Sequence, residues 1–337
     1  MISALRDWTD RLLGRGEAAT TVPPFDGALK PNQLLEHAEV LATLEAPEDL
    51  ATDGNSLFVA DGAHVLRYDG DVASEVAQFD RPLTALACLP GGGLAVALDG
   101  REVRVVGGRN DGRRWDAVAG KPLNAVNAIS AAADGHLLVT DGSATRPYAQ
   151  WCHDLMELGH SGRLLELDAS GGGSKEIAGG LAYAFGACAA GDAIWVAESW
   201  RHRLLQFGGG HSGAAVLSRL PGYPSRITPA SGGGFWLTVF TARTQLVEFI
   251  LREPAFRKRM MQEIEPQYWV APALMSGRTY LEPMQGAHIK TMGILKPWAP
   301  PRSYGLVVRL DADGLLHYSL HSRVDGRNHG VVAAVEV

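Results

Sequence analysis

A chain of 337 residues that is 46% hydrophobic and 20% charged has the make-up of a globular protein and length enough for a large buried core. A formal charge of −6 with no basic stripe excludes a dedicated nucleic-acid binder, and nowhere do 18 apolar residues run together as a membrane span requires. Cys88, Cys152 and Cys188 are too few and too scattered for a disulfide framework or a zinc site, so they read as buried thiols in a reducing, cytoplasmic setting.

Met1–Gly16 reads as a short amphipathic helix, with Arg6, Asp7, Asp10 and Arg11 interleaved and no apolar core of the kind a signal peptide needs. Residues 1–36 are therefore assigned to a helix and linker, and residues 37–337 to one domain. Within that domain a unit recurs, built of short strands rich in Val, Leu and aromatics and bounded by Gly and Asp turns. Its first copy is Pro47–Asp53, Ser56–Asp61 and His64–Asp69. The second is Leu83–Pro90, Gly93–Asp99 and Glu102–Val106; the third is Val126–Asp134, His136–Asp141 and Arg163–Asp168. A fourth comprises Phe185–Ala190, Ala193–Glu198 and Arg203–Phe207, and a fifth Arg226–Ala230, Phe235–Val239 and Leu306–Asp311. Glycine clusters such as Gly91–Gly93 and Gly232–Gly234 separate the apolar runs as turns separate strands.

Such a unit cannot bury both faces alone, so neighbours must stack, and a spacing of roughly 40 residues with about four strands per unit predicts a β-propeller. A β-sandwich with coincidental spacing is the weaker alternative, because the units share an internal pattern. A sixth unit starts at Gly330–Val337, and Ala38–Leu44 is placed to close it as an N-terminal strand. The fold class expected is all-β: a six-bladed β-propeller with helical insertions and an incomplete last blade, the two middle strands missing as in a shortened chain. Two insertions break the rhythm. Ala149–Gly159 has helical spacing, and residues 242–303 open on the amphipathic Gln245–Met261, with an interior proline, and end in the Pro-rich run Pro297–Pro301. Insertions of this length on a rigid scaffold cover or shape a site, or pack as a flank of the propeller.

Five segments carry a resemblance. APEDLATD (Ala46–Asp53), LLVTDGS (Leu137–Ser143), SGRLLELD (Ser161–Asp168), and above all WVAESWRHRLLQF (Trp195–Phe207) with LPGYPSRITPASGGGFWLTV (Leu220–Val239) resemble the strictosidine synthase-like family over residues 35–337. The resemblance implies a six-bladed propeller in the superfamily of gluconolactonase-type and paraoxonase-type enzymes, with the site at one mouth of the central channel. The first strand of each blade then lines the channel. Aligning the units on it gives a ring of Glu48, Leu83, Asn127, Phe185, Ser225 and His329, in a register open to a slip of one residue.

Gluconolactonase-like relatives hold a calcium ion in this ring with a glutamate, asparagines and an aspartate. Here Glu48 and Asn127 match, while Phe185 and Ser225 stand where relatives have Asn and Asp, and Arg226 adds a cation. One carboxylate, one amide and one hydroxyl make a poor calcium site, since hard cations require several oxygen donors, some of them charged. An ion pair of Glu48 with Arg226 would replace the metal charge. His329 falls where the plant synthases carry their essential glutamate, which makes it a candidate base but sets strictosidine synthesis itself aside.

The resulting expectation is a hydrolase acting on a small-molecule ester or lactone, with Glu48 and His329 catalytic. Asn127, Phe185, Ser225, Arg226 and Trp200 would line its pocket, and calcium would be the only cofactor considered. The alternatives are a non-catalytic propeller that binds a small ligand or a protein partner, and a degraded relative without activity. Arg201 and His202, after Trp200 at a strand end, read as solvated loop residues, and His153 and His160 flank the short helix at a place that would put them near the mouth. No GxSxG, P-loop or HExxH occurs, and Ser143 and Ser199 lack a nearby His-Asp partner in sequence.

Overall fold

The structure is a computed structural model that describes residues 22–132, 134–283, 290–291, 294–295 and 302–337. The helix expected over Met1–Gly16 and the run Pro297–Pro301 lie outside the described residues. Five four-stranded antiparallel sheets dominate, each with its strands in simple sequential order. Blade 1 is β1 (Pro47–Thr52), β2 (Leu57–Asp61), β3 (His64–Asp69) and β4 (Val72–Gln78); blade 2 is β5 (Leu83–Cys88), β6 (Leu94–Leu98), β7 (Glu102–Val106) and β8 (Arg114–Trp115). A short ribbon, β9 (Ala117–Val118) with β10 (Lys121–Pro122), precedes blade 3, which is β11 (Val126–Ala131), β12 (His136–Asp141), β13 (Gly162–Asp168) and β14 (Ser174–Leu181). Blade 4 is β15 (Ala184–Ala190), β16 (Ala193–Glu198), β17 (Arg203–Gly208) and β18 (His211–Leu217). Blade 5 begins with β19 (Gly222–Pro229) and β20 (Phe235–Ala242). It is completed, beyond an insertion holding the ribbon β21 (Lys290–Thr291) and β22 (Ile294–Leu295), by β23 (Gly305–Leu310) and β24 (Leu316–Ser322).

The first strands of successive blades pack against one another, β1 on β5, β5 on β11, β11 on β15 and β15 on β19, which is the propeller arrangement. Burial follows from it. The second strand of blade 2, LAVAL, is buried throughout, whereas the fourth strand of blade 1, VASEVAQ, is almost wholly exposed. Ala85, Ala95 and Ala97 have no exposed surface, as expected where face-to-face sheets converge and only small side chains fit.

The acid that ends the second strand of several units has a structural task. Asp61 Oδ1 accepts the backbone N–H of Ala46 (2.6 Å), Asp141 Oδ1 that of Ala125 (2.8 Å) and Glu198 Oε1 that of Ala182 (2.8 Å). Each bond pins the chain just before the blade's first strand to the end of its second. In blades 3 and 4 an arginine at the start of the third strand completes the pin: Arg163 to Asp141 and Arg203 to Glu198, both at 2.5 Å.

Every first strand also carries a register shift: between Pro47 and Asp49, Leu83 and Ala85, Val126 and Ala128, Ala184 and Ala187, and Pro224 and Ile227. A bulge leaves residues out of the ladder and re-aims their side chains. The residues so released are Glu48, Thr84, Asn127, Phe185 with Gly186, and Ser225 with Arg226. Gly186 is required here, because it sits at φ +95° and a Cβ would come within 2.6 Å of Arg226 Cα and 2.8 Å of Ser225 O. Gly186→Ala is therefore expected to cost at least about 2 kcal/mol, read as a drop in the urea unfolding midpoint; an unchanged midpoint would contradict this packing.

Three expectations are corrected. The described residues make five complete blades, not six. The segment at Gly330–Val337 lies extended beside β19, fastened by Thr238 Oγ1 to Val332 O (3.0 Å), Thr228 Oγ1 to Ala334 O (2.7 Å) and Trp236 Nε1 to Glu336 Oε1 (2.5 Å), with no sheet of its own. Ala38–Leu44 forms no strand and leaves Val40 and Leu41 exposed, because a closing strand needs a middle strand to pair with. The chain ahead of it packs on blade 5 instead: Asn32 bonds Ser319 and His321, and Glu36 accepts the N–H groups of Arg327 and Asn328. Finally, the helix expected at Gln245–Met261 is two, α2 (Gln245–Arg252) and α3 (Pro254–Glu263), because Pro254 cannot donate within a helix and starts a new one. The earlier insertion does contain a helix, α1 (Trp151–Met156).

Candidate functional site

The bulged residues of β1 and β19 meet where the first and fifth blades face each other across the ring. Arg226, buried to within 5% of its surface, spans that gap. Its Nη1 donates to Glu48 O (2.9 Å) and Val332 O (3.3 Å), and its Nη2 to Thr84 O (2.8 Å) and Glu48 Oε1 (3.4 Å). Nε stands 3.1 Å from Asp49 Oδ1, an ion-pair distance without hydrogen-bond alignment. The guanidinium lies over the Phe185 ring, 5.2 Å from its centroid. One cation thus joins blade 1, blade 2, blade 5 and the extended tail.

Two carboxylates share it. Asp49 is buried, accepts the N–H of Leu86 (2.8 Å), and is pushed up to about 6 by burial, against the opposing pull of Arg226. Glu48 is also raised above the ordinary carboxylate range, again by burial and against Arg226, although its side chain keeps 24% of its surface exposed. Tyr148, from the loop that leads into α1, donates its hydroxyl to Glu48 Oε1, and burial holds that phenol well above its usual value.

Over this floor lies an aromatic layer. Trp200 stacks on Tyr183 (centroids 4.3 Å apart), meets Tyr223 and Phe240 edge-on, and donates Nε1 to Asp154 Oδ1 at 2.7 Å. Asp154, on α1, also accepts from Ser143 Oγ (2.5 Å), and burial raises its carboxyl. From the other side α2 docks through Glu248, 3.5 Å from His202 Nε2 and 3.0 Å from Arg243 Nε. Burial alone would raise Glu248, but His202 and Arg243 bring it down to about 2. Both insertions therefore roof the ring, and His202, read from sequence as a loop residue, is buried in their anchorage.

The predicted ring residues divide. Glu48, Phe185 and Arg226 come together. Leu83 turns into the core and its neighbour Thr84 takes the bulge, the one-residue slip that the alignment left open. Asn127 is fully buried, donating Nδ2 to Ala184 O (2.9 Å) and accepting from Thr140 Oγ1 (2.6 Å). Ser225 is spent on Thr238, with Oγ 2.7 Å from its hydroxyl. His329 stands elsewhere. Its Nδ1 meets Ser303 Oγ at 2.7 Å, its Nε2 meets Arg323 O at 2.6 Å, and its ring stacks on Tyr304; without a sixth sheet the chain ahead of Gly330 stays with blade 5. Asp49, Thr84 and Tyr148 belong to the site and were not anticipated. The acid next to Glu48 was the one available signal, since neither a bulge nor a loop tyrosine's reach is written in strand periodicity.

The residues do not fit a divalent cation. A guanidinium fills the space beside the Glu48 carboxylate, and the Asn127 carbonyl oxygen is taken by Thr140. Among the described residues no group of three or more His, Cys, Asp or Glu is placed to hold a metal.

No family model matches the sequence. The chain is similar to adipocyte plasma membrane-associated protein from several animals. It is 27% identical to that of Bos taurus over 306 residues (77% of this chain, 73% of that one), 28% to that of Mus musculus over 274 (71% and 65%), and 29% to that of Homo sapiens over 283 (73% and 66%). The chain thus spans about two thirds to three quarters of these relatives. Among solved structures, a gluconolactonase from Xanthomonas campestris is 20% identical with a TM-score of 0.46 (59% of this chain, 71% of that one). A luciferin-regenerating enzyme is 17% identical with a TM-score of 0.43 (62% and 73%).

Proposed function

We propose that this strictosidine synthase-like propeller hydrolyses a small-molecule ester or lactone without a metal, using Glu48 as its acid–base group. The observation that carries the reading is the state of Glu48: a carboxyl with a raised proton affinity and part of its surface exposed, held by Arg226 from below and by Tyr148 from the side. A general base is most effective when its pKa approaches the working pH. As the carboxylate, Glu48 takes a proton from the water that adds to the substrate carbonyl, then returns it to the departing alkoxide. Water and ester are consumed, acid and alcohol released. Arg226 acts as a positioning residue, its Nη1 and Nη2 donating to the Glu48 carboxylate and three backbone carbonyls and its charge paired with Asp49. Both nitrogens of His329 are engaged, so the role of base passes to Glu48 alone.

The test is a panel of lactones and aryl esters. Glu48→Gln is expected to lower kcat/KM by at least about 100-fold, with the wild-type rate unchanged by chelator. Equal rates in wild type and Glu48→Gln would overturn the proposal.

A second reading, a non-catalytic propeller that binds a small ligand, is favoured by the roofing of the ring and by the engagement of Asn127 and Ser225 in fold-holding bonds. It expects saturable ligand binding without turnover in either protein.

A further inference from the structure

A different part of the molecule presents a site for an organic acid. On the rim of blade 3, away from the ring, a groove of about 470 Å³ opens between the ribbon strand β10 and the bulged strand β14. That volume lies within the range of small-molecule sites, roughly 300–1,000 Å³. Pro122, Leu123 and Ala144 give it apolar walls, and Lys121, Arg163 and Glu176 gather at one end.

Arg163 is the informative residue. Its side chain is only 4% exposed, and its Nη2 is committed to Pro122 O (2.7 Å) and Asp141 Oδ2 (2.5 Å). Its Nε and Nη1 are buried and make no hydrogen bond among the described residues. Buried N–H groups of a cation left unbonded are costly, so this arginine, which lines the groove, is incompletely satisfied as it stands.

What lies nearest to Nη1 shows the chemistry that suits it. Glu176 Oε2 stands 4.0 Å away, too far for a hydrogen bond, while holding Lys121 Nζ at 2.9 Å. The protein's own carboxylate bridges the two cations loosely, satisfying the lysine and stopping short of the arginine. The four charges, Arg163, Lys121, Asp141 and Glu176, sum to zero, so a singly charged anion that takes the place of the Glu176 carboxylate keeps the two cations and Asp141 in balance.

We propose that this groove binds a monoanionic organic carboxylate. Its carboxylate displaces Glu176 to sit between Lys121 and the unbonded N–H groups of Arg163, and its apolar body lies on Pro122, Leu123 and Ala144. The site is separate from Glu48 and stands or falls independently of the hydrolase reading.

The test uses 4-fluorobenzoate followed by fluorine NMR, with 4-fluorobenzamide as the neutral isostere and inorganic phosphate as competitor. Wild type is compared with Glu176→Gln and with Glu176→Gln/Lys121→Ala; the Lys121 side chain is 61% exposed and that of Glu176 22%. The expected result is saturable binding of the benzoate that tightens about tenfold in Glu176→Gln, as removal of a competing charged partner implies. That gain is lost again in the double variant, and the benzamide does not compete. Absence of saturable binding to Glu176→Gln, equal binding of the benzamide, or displacement by phosphate at equal concentration would each overturn the proposal.

Discussion

Arg226→Met is expected to cost the fold about 3–5 kcal/mol, the usual penalty when one partner of a buried charged cluster is removed. The methionine fills much of the same volume, so the loss is electrostatic. Glu48 and Asp49 are left buried without a cation, and the carbonyls of Glu48, Thr84 and Val332 lose their donor. In a chain of this size the melting temperature should fall by roughly 4–7 °C. Arg226→Lys keeps the charge but cannot reach all five partners, and should fall between. Acid separates this account from a packing defect, because protonating the two carboxylates removes the unpaired charge and the penalty should shrink below pH 5. A deficit that is small, or constant from pH 4 to pH 8, would show that Arg226 fills space and nothing more.

The second large effect is in the pH dependence of stability at Asp49. Its folded-state pKa is raised from 3.8 to about 6, chiefly by burial. A carboxyl raised in the native state binds its proton more tightly there than in the unfolded chain. Its stabilising contribution is present below pH 3.8 and is lost as the pH climbs through 6, by up to about 3 kcal/mol from linkage. Other groups oppose it over the same interval: His321 is held down to about 4 by burial, and that contribution grows as the pH rises. The clean readout is therefore a difference. Asp49→Asn carries no titrating group, so the unfolding free energy of wild type minus that of Asp49→Asn should fall steadily between pH 4 and pH 7 in urea melts. A flat or rising difference would mean that Asp49 is not desolvated as the structure shows.

Much of the fold was legible in the sequence, for a definite reason. His64–Asp69, Glu102–Val106, His136–Asp141 and Ala193–Glu198 appear as strands with the ends that their turn residues mark. Each is a short apolar or alternating run closed by Gly, Asp or Glu, and local chemistry decides it. The fourth strands were not individually visible, because sequences such as VASEVAQ lie at the exposed edge and alternate nothing. The ring was legible only as far as local chemistry reaches. Glu48, Asn127 and Phe185 were found at the right strand positions. Arg226 and its pairing with Glu48 were also read from the sequence; Thr84 in place of Leu83 depended on a bulge inside LTALAC, a strand buried nearly from end to end, where no polar alternation reports the register. His329 was misplaced by extending the repeat into a sheet that the described residues do not form. Tyr148 reaches Glu48 across 100 residues of sequence, a distance no periodicity spans.

The pin that ends the second strand has a consequence for how this molecule tolerates change. Asp141 and Arg163 face each other in the ladder, and everything from Gly142 to Gly162, α1 included, leaves and returns through that one buried pair. The excursion is anchored at its root by this pair and farther out by Tyr148 on Glu48 and Asp154 on Trp200, and the entropy of closing such a loop rises only with the logarithm of its size. Blade 3 should accept longer, shorter or foreign segments between these two residues as a socket accepts different fittings, leaving the sheet beneath undisturbed. Blade 4 shows the minimal fitting: between Glu198 and Arg203, paired in the same way, the chain makes a single short helical turn and comes straight back. One scaffold thus carries a short connection and a long one on the same kind of buried pair.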